Sequence, residues 1–86
     1  MYHDNMKRIE RVQTGVRMEK GIVKVLKGLA EFHEISLGDL LEGIVLHAFE
    51  NKCPFSKTSL GIIKQLKDVY GVKLKASDSH NLKETE

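Results

Sequence analysis

The sequence predicts a mainly α-helical domain with one N-terminal β-strand, completed by a second copy of itself. Three observations carry this. Arg11-Val12-Gln13-Thr14-Gly15-Val16-Arg17-Met18 alternates strictly, so an extended backbone puts Val12, Thr14, Val16 and Met18 on one face and Arg11, Gln13, Gly15 and Arg17 on the other. No second alternating run follows, and a strand without a neighbour leaves its N–H and C=O groups unpaired. The chain has 86 residues, a size at which one domain buries only about 60% of its unfolded surface, so a homodimer supplies missing core.

Ahead of the strand, residues 1–9 have no periodicity and read as a flexible arm, in which Lys7 and Arg8 are positioned to touch an anionic partner. After Met18 the period changes from two to about 3.6. Ile22, Val25, Leu26, Leu29 and Phe32 then fall at helical spacing opposite Lys20, Lys24, Lys27, Glu31 and Glu34, predicting an amphipathic helix over 20–34. Ser36 is placed to cap a second helix over 37–51, with the Asp39 carboxylate at its positive end. Its apolar stripe (Leu37, Leu40, Leu41, Ile44, Val45, Ala48, Phe49, widened by Leu46) is broad enough for more than one neighbour. Gly43 in mid-helix costs about 1 kcal/mol relative to alanine, which fits close approach by another backbone or a tolerated imperfection.

Residues 52–58 read as a connector, because Pro54 disfavours helix at Cys53. Thr58 or Ser59 can cap a third helix over 59–71 that turns Leu60, Ile62, Ile63, Leu66, Val69 and Tyr70 inward and ends at Gly71. Residues 72–86 are expected to be mostly disordered, since little but Leu82 is available to bury beyond Leu74.

The net charge is only +2, so its distribution decides more than its sum. Leu37 to Glu50 carries Asp39, Glu42 and Glu50 without a lysine or arginine, whereas Asn51 to Lys75 has six lysines against Asp68, giving +5. Basic character therefore sits around the strand and in the C-terminal third. No apolar run reaches the roughly 18 residues of a membrane span, no charged-then-apolar leader is seen, and the single Cys53 fits a reducing compartment, so a cytoplasmic location is expected.

The parts of an enzyme are missing. Asp39 and Glu42 are spaced as a solvated helix face, with nothing nearby to raise either pKa. His3, His33, His47, His80 and Cys53 lack paired ligand spacing, so neither a metal nor another cofactor is expected; His33 reads as a packing residue. Gly15 and Gly21 stand alone and form no phosphate-cradling loop.

The order of one alternating strand, a helix, a short capped turn and a second apolar helix resembles the ribbon-helix-helix proteins of Arc, MetJ and CopG type. The resemblance covers roughly Arg11 to Glu50 and rests on Gln13 to Arg17, Ala30, Ser36 and the Leu40-Leu41, Ile44-Val45 and Phe49 pattern. It implies an intertwined homodimer whose two-stranded antiparallel intermolecular ribbon enters the major groove of DNA, here with an extra C-terminal helix. By the same resemblance Gln13, Gly15 and Arg17 face the bases, with Arg11 extending that face. Glutamine pairs with adenine and arginine with guanine, while Gly15 departs from a typical reader in having no side chain. The resemblance also places Ser36, Leu37 and Gly38 on a phosphate, as helix-start amides favour. Lys7, Arg8, Lys20 and Lys24 are further candidates for phosphate contact. His33-Glu34-Ile35 departs from the family, which often has glycine in this turn.

The function expected is that of a homodimeric, sequence-specific DNA-binding protein and transcriptional regulator or repressor. A second expectation is an interaction module of antitoxin type that dimerises through the same fold and binds a partner protein through its C-terminal third. A third, a helix-turn-helix reading with Lys64, Gln65 and Lys67 as recognition face, leaves the strand unexplained.

Overall fold

The computed structural model describes residues 6–85, so residues 1–5 of the expected arm lie outside the described residues. An extended segment over 6–19 leads into α1 (Lys20–His33), α2 (Leu37–Phe49) and α3 (Lys57–Tyr70), and a 3₁₀ turn follows at Ala76–Asp78. Each helix begins and ends on local chemistry. The Glu19 carboxylate accepts from the amide of Ile22, Ser36 from that of Asp39, and Ser56 from that of Ser59. The third cap is thus Ser56, and α3 starts two residues before the position read from Thr58 and Ser59.

At the end of α1, Glu34 takes the left-handed conformation (φ 57) that glycine usually supplies, and the amide of Ile35 reaches back to the carbonyl of Ala30. Gly71 (φ 65) closes α3 in the same way at no steric cost.

The β-strand expected over 11–18 is not formed, and with it falls the ribbon-helix-helix architecture: among the described residues there are three helices and no β-strand. The physical reason lies in what covers the apolar stripe of α1. α3 packs along α1, and Leu29, Ala30 and Leu40 form the buried centre with Leu26, Ile44, Phe55, Ile62, Ile63 and Leu66 around them. The alternating segment finds no second strand in the chain, so it runs over the surface with Val12 81% and Val16 70% exposed and its backbone open to water. Alternation encodes two faces; it does not supply the neighbour that makes a sheet.

Two contacts fix α1 and α3 as antiparallel neighbours. Lys24, near the start of α1, lies over the ring of Tyr70 at the end of α3, while His33 at the end of α1 meets Ser59 at the start of α3. α2 packs only on α1, which leaves Val45, Leu46 and Phe49 exposed. Beyond α3 the chain stays on the protein as a strap: Val72, Leu74 and Asp78 are half-buried where disorder was expected. Val72 achieves this by lying against Gly21 of α1, a closeness that residue pattern alone does not encode.

Candidate nucleic-acid interface

The antiparallel pairing of α1 and α3 brings the basic start of α1 beside the basic end of α3. Between them opens a cleft of about 590 Å³ lined by Lys20, Lys24, Lys73 and Lys83, with Tyr70, Val72 and Leu74 in its walls. A neighbouring cleft of about 660 Å³ shares Val72 and Lys73 and adds Lys64, Lys67 and Lys75. Among the described residues, ion pairs form at Arg11–Glu42, Arg17–Glu84 and Lys52–Glu50, and none involves these seven lysines. Among the described residues no carboxylate pairs with them, and a concave surface lined mainly by one sign of charge concentrates an oppositely charged partner.

Two groups temper this field. Asp68 lines the second cleft. Glu19 lines the first, where its carboxylate accepts from the backbone of Gly21 and Ile22, and these bonds hold its pKa below the usual carboxylate range. The N-terminus of α1 is thereby occupied by the chain's own anion, so anion attraction in the cleft rests on the lysines. Lys24 is held in place by Tyr70, its Nζ 5.5 Å from the ring centroid.

The structure separates the residues singled out from sequence into three places. Lys20 and Lys24 lie in the cleft. Ser36, Leu37 and Gly38 start α2 beyond the far end of α1, and a helix of 14 residues puts them about 20 Å away. There Ser36 Oγ takes the amide of Asp39, while the amides of Leu37 and Gly38 have no hydrogen-bond partner among the described residues.

The third place is the extended segment, where Lys7, Arg8, Gln13 and Gly15 are exposed and Gly15 has no neighbour within 4 Å of an added Cβ. Arg11 is committed to Glu42, and Arg17 reaches Glu84 through a 2.7 Å contact between two largely exposed side chains. Exposed pairs of this kind are worth little and exchange readily for another anion.

Sequence reasoning missed Lys73, Lys83 and Tyr70 as parts of a site. For Lys73 the signal was present in the +5 of Asn51 to Lys75, but only the packing of α1 against α3 joins that charge to Lys20 and Lys24, and Lys83 lies in a net-negative stretch that gave no such signal.

Among the described residues no group of three or more His, Cys, Asp and Glu side chains is arranged to hold a metal ion, and no helix is long and apolar enough to cross a membrane. Comparison with family models, with curated proteins and with solved structures found no match to this chain.

Proposed function

We propose that this chain is a DNA-binding protein that grips the phosphate backbone with the lysine-lined end of the α1–α3 pair. The observation that carries the reading is the convergence of Lys20, Lys24, Lys73 and Lys83 on one cleft, none of them ion-paired to a carboxylate among the described residues. Lysine amines on a concave track suit a line of phosphates, and each contact releases condensed counterions. Arg17 and Gln13, on the exposed segment that enters α1, then supply base-edge donors, and Arg17 exchanges the Glu84 carboxylate for guanine. A second copy, seated on the exposed Val45, Leu46 and Phe49 of α2, would double the contact surface. Regulation of transcription is the role such a protein would serve.

The reading is tested by fluorescence anisotropy of a labelled mixed-sequence duplex at several salt concentrations. Four phosphate contacts predict that the logarithm of affinity falls against the logarithm of salt with a slope of about −3 to −4 per protomer. Lys20→Gln and Lys73→Gln should each flatten that slope by about 0.9. Absence of binding at low salt overturns the reading.

One observation favours a different function. Phe49 is 79% exposed at the end of α2, and an apolar surface of this kind suits a protein partner. In that case the chain is an interaction module, and deleting charge from the lysine cleft leaves its partner binding unchanged.

A further inference from the structure

We infer that the groove between α1, α3 and the C-terminal strap is a binding site for a medium-chain alkyl carboxylate. The groove encloses about 330 Å³. That is the lower end of the range for small-molecule pockets and too small for a protein helix. Its floor is Val25 and Leu29, both buried, and its walls include Ile63, Leu74 and Leu82. An unbranched alkyl chain matches such a lining, since it buries apolar surface and asks for no hydrogen bond along its length.

The charge at the rim selects the head group. Lys67 and Lys75 border the groove, and neither forms an ion pair among the described residues. The one carboxylate there, Asp78, is turned to the strap's own backbone, its Oδ2 accepting from the amide of Lys75 at 2.7 Å. Two lysines in the lining of an apolar groove, neither ion-paired among the described residues, fit an anion on an apolar tail. Lys20, Lys24, Lys73 and Lys83, the four lysines that carry the DNA reading, do not line this groove, whereas Lys67 and Lys75 also line the second lysine cleft.

The test is a titration of the ¹⁵N-labelled full chain with sodium decanoate below its micelle concentration, followed by amide chemical shifts. Saturable one-to-one binding is expected, with the largest shifts at Val25, Leu29, Ile63, Leu74 and Ala76. Decanol should bind about tenfold more weakly, and so should decanoate to the double variant K67Q/K75Q, which removes the charges and keeps polar side chains at both positions. The comparison of decanoate with decanol is made on the unaltered chain, whose DNA anisotropy is read separately, so failure of one reading is distinguishable from failure of the other. Shifts that never saturate, shifts centred on Leu46 and Phe49, or equal binding of decanol and decanoate would overturn the inference. So would binding to phosphatidylglycerol vesicles in place of free decanoate.

Discussion

Arg11 holds Glu42 with two hydrogen bonds, Nε to Oε2 at 2.9 Å and Nη2 to Oε1 at 2.8 Å. This fork ties the extended N-terminal segment to α2. The same pairing keeps the Glu42 carboxyl below the usual carboxylate range, mainly through the hydrogen bond from Arg11, and raises Arg11 through its bond to Glu42. A carboxyl whose folded pKa is depressed contributes stability above its unfolded pKa and loses it as pH falls through the folded value. The segment should therefore loosen on acidification while the helices persist. Heteronuclear NOE values at Val12 and Gln13 are expected to drop below the carboxylate range, and Glu42→Gln should reproduce the drop at neutral pH with helical circular dichroism unchanged. Equal NOE values in wild type and variant would show that the fork does not hold the segment.

Gly43 lies in mid-α2 with nothing within 4 Å of an added Cβ. Within one protomer, Gly43→Ala gains helix propensity and should stabilise the chain by about 1 kcal/mol in urea unfolding at low protein concentration. If two copies meet across α2, the added methyl intrudes on that contact and the variant dissociates at a higher concentration than wild type. Sedimentation of the two proteins separates these outcomes. A loss of stability in the dilute protomer would contradict the open surroundings of Gly43.

The helices were legible because their determinants are local. Apolar spacing located all three, and Ser36 accepting from Asp39 is the cap that the sequence itself indicates. The misread element failed for a non-local reason. Val12, Thr14, Val16 and Met18 define one side of an extended chain, but only tertiary structure decides whether anything covers that side, and here α3 takes the face of α1 instead. The lysine cleft was half legible for the same cause. Lys20 and Lys73 lie 53 residues apart in the chain, and only the antiparallel α1–α3 packing unites them.

Ser59 is the buried polar residue at the other end of that packing, 2.8 Å from His33 Nε2 and 3.2 Å from Ser56 Oγ. His33, which the sequence marks as a packing residue, serves as a polar tie between the end of α1 and the start of α3. Ser59→Ala removes both side-chain partners yet leaves His33 able to reach water, so the expected cost is about 1 kcal/mol in chemical denaturation. Ser56→Ala also removes the cap of α3 and should cost a similar amount. The double variant should cost less than the sum, because the two hydroxyls share one network. Strict additivity would mean that the hydroxyls act independently.

The strap that carries Lys73 is seated on α1 through Gly21, where an added Cβ would lie 2.7 Å from Val72 Cγ2. Two effects oppose each other in Gly21→Ala. Alanine favours the first turn of α1 by up to about 1 kcal/mol, but the methyl cannot be accommodated unless Val72 moves, and real Cβ atoms do not approach so closely. The valine side chain is short and branched, so it has little freedom to swing aside and the backbone of the strap must yield. Gly21→Ala should therefore shift the amide resonances of Val72, Lys73 and Leu74 while leaving those of α2 in place. Since Lys73 lines both lysine clefts, the displacement should also weaken DNA binding without changing net charge. The substitution Val72→Ala in the same chain removes the obstructing methyl and should restore both the resonance positions and the affinity. Weakened binding that Val72→Ala fails to restore would mean that the position of the strap does not set the spacing of the lysines.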